Sequence, residues 1–191
     1  MINHQALQKT LPDQVYKIRN VVFALVFLLI GSFEFYKFYN LNTILGLFLL
    51  SRSVTISFLF FRREKAKAED TFFFKTLAYI SAFLPLLYSS HKSLFEGHLN
   101  TFFEISIIIS YSFSIYSLMH LGKSFGISPG KRNLITSGPY ALLKHPAYIG
   151  YFFSELFILL LNFSIFNILI FSFSSSLYFI RAHRENKILR L

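Results

Sequence analysis

The chain has no cysteine, which excludes disulfides, thiolate metal sites and a cysteine nucleophile. Charge is scarce, at 15% of residues, against about a quarter in ordinary soluble domains. Acidic charge is scarcer still, nine Asp and Glu against nineteen Lys and Arg. There is no glycine-rich GxGxxG turn between a strand and a helix, so no dinucleotide fold is expected. The histidines, His4, His91, His98, His120, His145 and His183, contain no pair four apart, so no metal site is expected. "GISPGKR", residues 126–132, imitates a phosphate loop but has three residues between its glycines instead of four, and no Ser or Thr follows Lys131. The first twenty residues are polar and mixed, with Pro12 and Asp13, unlike a cleavable leader.

What remains is apolar. Hydrophobic residues make up 54% of the chain, and 26 of the 191 residues are Phe. A soluble fold could not cover that much apolar surface, whereas a bilayer can. Apolar stretches occupy residues 21–39, 41–61, 71–90, 99–121, 147–161 and 164–180. The first four reach the roughly 20 residues that a helix needs to cross hydrocarbon; the last two run short and are joined tightly at Asn162 and Phe163. In lipid such segments must bond their own backbone, and no alternating barrel pattern is present. The expected fold is an all-α integral membrane protein: a single domain, 1–191, of five to six transmembrane helices, the last two a short hairpin.

With a cytoplasmic amino terminus, sixteen of the nineteen Lys and Arg fall on the inner side. Lys37 and Lys92 fall outside, and Arg52 lies within a span. That asymmetry is the positive-inside pattern, so the net charge of +10 reflects topology and calls for no nucleic-acid partner. "RREKAKAED", residues 62–70, then reads as a solvated cytoplasmic turn able to attract anionic headgroups. The longest polar connection, 122–146, and the charged tail "RAHRENKILRL" lie on this same side. A tight hairpin runs antiparallel, which brings His145 to Gly150 and Arg181 to Glu185 to similar depth. Arg181 and Glu185, four apart, share a helix face and can pair. Gly138, Pro139 and Pro146 are, singly, ordinary turn and helix-start residues.

As a set these residues are more telling. "LITSGPY", residues 134–140, "KHPAYIG", residues 144–150, and the Arg181 and Glu185 pair at fixed spacing resemble the isoprenylcysteine carboxyl methyltransferase and phospholipid methyltransferase family over about the last 70 residues. Lys144 stands where that pattern usually has Arg, and Asn186 where it often has a second Glu. The resemblance implies S-adenosylmethionine as cofactor, in a cytoplasmic pocket formed by Leu134, Ile135, Gly138, Pro139, Tyr140, His145, Pro146, Tyr148 and Glu185. It implies Arg181 and Glu185 as catalytic residues, with Lys144 and Arg181 facing the acceptor. That acceptor would be a membrane lipid or lipidated substrate, O-methylated on an anionic group: a lipid phosphate, such as that of lipid A in a bacterium, or a prenylcysteine carboxylate. A phospholipid amine is the alternative. The membrane would be the inner membrane of a bacterium or the endoplasmic reticulum of a eukaryote. Two readings of other classes compete: an NADPH-dependent enzyme of the sterol-reductase type, and a transporter whose polar path runs through Glu34, Arg52, Glu104 and Glu155.

Overall fold

A computed structural model describes residues 12–39, 43–89, 93 and 95–189. Helices α1 (Asp13–Tyr39), α2 (Thr43–Arg62), α3 (Phe72–Phe83), α4 (His98–Leu121), α5 (Pro146–Leu161) and α6 (Ile165–Leu189) alternate in direction. Contacts at the two ends of the bundle fix that alternation. At one end Asp13, opening α1, meets Lys65, just beyond α2, at 2.8 Å. At the other, Lys37 near the end of α1 donates to the Tyr88 carbonyl at 2.5 Å, and the Ser89 amide and hydroxyl both donate to Asn167 at the start of α6. The first end carries the long connection 122–145 and is called the polar end below.

Close approach of helices is set by small residues, as expected where lipid replaces water and apolar burial no longer drives association. A Cβ on Gly31 of α1 would lie 2.6 Å from that of Ser53 on α2. One on Gly150 of α5 would meet the Ser114 hydroxyl of α4 and come within 2.9 Å of the Ser110 carbonyl. Around these seams Phe23, Phe27, Phe60 and Tyr79 stack at centroid separations of 4.8–5.7 Å. Aliphatic and aromatic residues such as Leu29, Ile109 and Phe179 point outward, 63–72% exposed.

Among the described residues, three stretches are long and apolar enough to cross a membrane: Asp13–Lys37, His98–Ser124 and Ile165–Leu189. Two expectations therefore change. The third segment does not form one span over 71–90. Pro85, which has no amide to donate, lies in a 3₁₀ turn, Leu84–Leu87, and α3 itself has 12 residues. The sixth is not short: α6 has 25 residues and continues past 180, because its charged end finds partners inside the fold instead of fraying into solvent. The hairpin itself is present, closed by Asn167, whose amide nitrogen donates to the Asn162 carbonyl at 2.5 Å.

The 62–70 segment is also not a solvated turn. Ala68–Glu69 (β1) pairs antiparallel with Gly130–Lys131 (β2), tying the α2–α3 connection to the long one. Arg63, Glu69 and Asp70 are at most 5% exposed. Arg63 donates through Nε and Nη2 to Asn20 Oδ1, at 2.8 and 2.5 Å. Glu69 accepts from Arg19 at 2.9 Å and Lys75 at 3.3 Å. Burial raises the Glu69 carboxyl, but these two cations outweigh it and hold it below the ordinary carboxylate range. Residues 1–11, with Lys9 of the expected polar terminus, lie outside the described residues, as do Lys92 and Arg190.

Because Gly150 leaves no room for a side chain, Gly150→Val should cost about 1–3 kcal/mol through overpacking of α4 against α5. Unfolding in detergent measures this, with lipid-facing Ile109→Ala expected to stay close to wild type.

Candidate active site

The polar end holds a cavity of about 380 Å³. Phe27, Arg52 and Ile56 close its inner end from α1 and α2, with Ala82 and Pro85 from the α3 region and Leu118 from α4. Its outer end is polar, walled by Ser124, Arg132, Asn133, Thr136, Tyr140, Lys144, His145, Tyr148, Arg181, Glu185 and Asn186. The cavity thus joins an apolar interior to a charged mouth. Its size falls in the roughly 300–1,000 Å³ range of small-molecule and cofactor sites.

Local sequence explains how the mouth is built. Pro146 occupies the first turn of α5, where its missing amide costs nothing, and so the helix starts at His145 and Tyr148 faces the cavity one turn in. Tyr148 Oη donates to Glu185 Oε1 at 2.5 Å. The His145 ring stacks on Tyr148 at 5.5 Å, with Nδ1 3.5 Å from Glu185 Oε2 and Nε2 3.2 Å from Asn186 Oδ1. Asn186 thus takes one side of the imidazole and Glu185 the other. Tyr178 stacks behind Tyr148, and Tyr151 tilts against Tyr178, each pair at 6.0 Å, giving an aromatic wall.

Arg181 is 6% exposed and crosses the middle of the site. Its Nη1 donates to Ser81 Oγ at 2.8 Å, its Nη2 to the Ile127 carbonyl at 2.7 Å, and its guanidinium carbon sits 4.8 Å from the centre of the Tyr148 ring. Arg184, one turn further along α6, lies outside the cavity wall. It grips Asp70 through Nε at 3.0 Å and Nη2 at 2.5 Å, and Asp70 also accepts from the Thr71 amide at 2.8 Å. It is a fold-holding residue and not a headgroup anchor.

Of the residues expected at the site, Leu134, Ile135, Tyr140, Lys144, His145, Tyr148, Arg181 and Glu185 line the cavity. Gly138, Pro139 and Pro146 do not; they shape the backbone that places the others. Gly138 has φ +58°, and a Cβ there would sit 2.5 Å from His120 Nε2, so this turn excludes every other residue twice over. Pro139 is buried at the start of the 3₁₀ turn that presents Tyr140, whose phenol burial pushes well above its usual value. Arg181 and Glu185 share the cavity but do not pair: one bonds Ser81 and Ile127, the other Tyr148 and His145. Sequence reasoning missed Ser81, Arg132, Tyr151 and Tyr178. The two tyrosines were recoverable, three residues from Tyr148 and Arg181 on the same helix faces.

The charges inside the helices are closed by their own partners. Glu34 takes Arg52 Nη2 at 2.9 and 3.2 Å and Ser53 at 3.3 Å. Glu155 accepts from Tyr88 at 3.3 Å and from Ser174 and Tyr178, and Glu104 accepts from Asn100 at 2.9 Å. The path expected for a transporter consists of separate, satisfied groups. Among the described residues no three His, Asp or Glu gather as a metal site.

A helical membrane bundle with one cavity opening at its polar end defines the class: an integral membrane protein with a ligand site where a polar mouth meets an apolar interior. Within that class, residues 103–191, most of α4 through α6, match the model of the isoprenylcysteine carboxyl methyltransferase (ICMT) family, and the chain is similar to that family over this portion. No curated protein and no solved structure matches the chain.

Removing one partner of the Arg184–Asp70 pair leaves a buried carboxylate alone. Arg184→Met should therefore cost roughly 3 kcal/mol, and Asp70→Asn in the same chain should recover part of it, read by unfolding of the two variants and their combination.

Proposed function

We propose that the protein uses S-adenosylmethionine to O-methylate an anionic group on a membrane lipid or lipidated acceptor. The observation that carries this is the two-ended cavity, with Tyr148, Arg181 and Glu185 converging where its polar and apolar parts meet. These residues fit the donor's chemistry. Glu185 and the faces of Tyr148, Tyr151 and Tyr178 supply negative potential suited to a sulfonium. His145, Asn186 and Tyr140 supply polar atoms for its amino-acid and ribose groups, with Leu134 and Ile135 as apolar wall for its base. When bound, S-adenosylmethionine supplies a methyl on a cationic sulfur, and its transfer moves electron pairs from the acceptor oxygen to the methyl carbon and from the carbon–sulfur bond to sulfur. The residues need not remove a proton from an oxyanion. Their work is to hold acceptor and methyl in line and exclude water.

Positive charge along the wall supports an anionic acceptor over a phospholipid amine. Arg132, Arg181 and Lys144 face the cavity against the single carboxylate of Glu185, while Arg52 is neutralised by Glu34. Arg181 offers a planar fork to a carboxylate or phosphate, and Lys144 a point charge at the mouth. The apolar inner end gives an acyl or prenyl chain somewhere to lie. The basic balance of the polar end supports its placement on the cytoplasmic side.

Calorimetry on the detergent-solubilised protein should show saturable binding of S-adenosylmethionine and none of NADPH; the reverse pattern would replace the assignment with a reductase. Arg181→Lys should keep donor affinity and lower turnover on the order of a hundredfold, because charge persists while the fork is lost. Lys187→Gln, exposed on the same helix, is the control. Acceptor identity follows from mass spectrometry of total lipids with and without the gene, seeking a species one methyl heavier.

Sidedness has its own check. In this cysteine-free chain, Cys introduced at exposed Glu96 should react with an impermeant thiol reagent from outside and Cys at Lys123 only after permeabilisation. The opposite labelling would invert the orientation.

A further inference from the structure

Six arginines of this protein, buried or half-buried, fall into two groups. Arg19, Arg52 and Arg184 each hold a carboxylate at 2.5–2.9 Å, and Arg63 holds the Asn20 side-chain amide oxygen. Arg181 and Arg132 have no such partner among the described residues. Arg181 bonds a hydroxyl and a carbonyl, and Arg132 has one hydrogen bond, Nη1 to the Ser128 carbonyl at 3.2 Å. The Nε of both is buried without a hydrogen-bond partner, as are those of Arg19 and Arg52, so the difference lies in what the terminal nitrogens hold. Both line the cavity, and their carbonyl partners, Ile127 and Ser128, are consecutive.

Gly126 lies directly against the Arg132 guanidinium, a Cβ there coming 2.5 Å from Nη1. Burial pulls this guanidinium below its ordinary value, with Tyr16, Glu185 and Glu69 attracting it only across space. A largely desolvated cation facing a cavity with no carboxylate in hydrogen-bond contact is costly in the ligand-free fold unless something that enters repays it.

We propose that Arg132, seated on Gly126, is a binding residue for an oxyanion that enters the cavity, acting with Arg181. The fork chemistry fits a carboxylate or a phosphate monoester through charge-assisted hydrogen bonds. The proposed function names two sources, the donor's carboxylate and the acceptor's anionic group, and the inference rests on that reading for those sources alone.

The test uses the full chain in detergent and Arg132→Met. If Arg132 serves a ligand, the ligand-free midpoint of thermal unfolding should stay level or rise, because an uncompensated charge is removed. A fall of several degrees would mark a structural arginine and overturn the proposal. Binding then separates the sources. S-adenosylhomocysteine carries the carboxylate and 5′-methylthioadenosine lacks it; short-chain phosphatidic acid carries a phosphate monoester and phosphatidylcholine does not. A tenfold or larger weakening of S-adenosylhomocysteine, with 5′-methylthioadenosine unchanged, places the donor's carboxylate on Arg132. The same weakening of phosphatidic acid alone places the acceptor there. No weakening of either refutes the role. If the wild-type protein binds neither nucleoside but loses phosphatidic acid on substitution, Arg132 stands and the methyltransferase reading falls.

Discussion

Arg181 reaches parts of the chain that sequence order keeps far apart. From the last helix it bonds Ser81, at the end of α3, and the Ile127 carbonyl, in the long connection, while its flat face rests on Tyr148 of α5. It adds a polar tie to the apolar one made by Phe125 and Ile127, which pack with Phe27, Ile56 and Phe60. The β1–β2 ladder holds only its neighbouring residues, and the Arg184–Asp70 grip acts one turn further out. The cavity exists because a guanidinium, with donors spread in a plane, can bridge three elements at once.

That arrangement is expensive in the abstract, since a cation is held away from water. Its cost is shared among dipoles: a hydroxyl, a carbonyl and an aromatic face, with Glu185 a turn away. Glu185 in turn is kept off Arg181 by Tyr148 and His145. Had the two formed a direct pair, each would have neutralised the other and the cavity wall would have lost both its cationic and its anionic point. Separating them leaves opposite charges side by side and available, which a site for a cationic donor and an anionic acceptor requires.

The bundle was largely legible in the sequence, because lipid imposes length and apolarity on each crossing and leaves little else to choose. The motif residues were legible only as a set, through their resemblance to a family, and Tyr140, His145, Tyr148, Arg181 and Glu185 among them line one cavity. What escaped was long-range. Nothing local in "RREKAKAED" announces that Asp70 will meet Arg184, 114 positions later, or that Ala68 will pair with Lys131. Charges at a helix end look alike whether they meet water or a buried carboxylate. The same ambiguity hid Arg132, whose basic neighbours read as topology. Pro85 was visible, but its consequence, a third helix cut to 12 residues, depended on the 3₁₀ turn that follows.

The short third helix and the long sixth belong together. Because α3 ends by Phe83 and turns at Pro85, Ser81 and Ala82 sit at the depth where Arg181 needs an acceptor and the cavity needs a floor. A full-length α3 could supply the same serine, but the turn also swings Tyr88 across to Glu155, beside Tyr178. That buried carboxylate, with hydroxyls from Tyr88, Ser174 and Tyr178, fixes the aromatic wall from behind. The wall's rigidity then sets how well Tyr148 holds Glu185. The chain therefore forms its polar site inside an apolar bundle with Arg181 and Glu155 both tied to the α3 region, through Ser81 and Tyr88. This is why the motif residues cluster at the mouth while the groups that position them are scattered through the first two-thirds of the sequence.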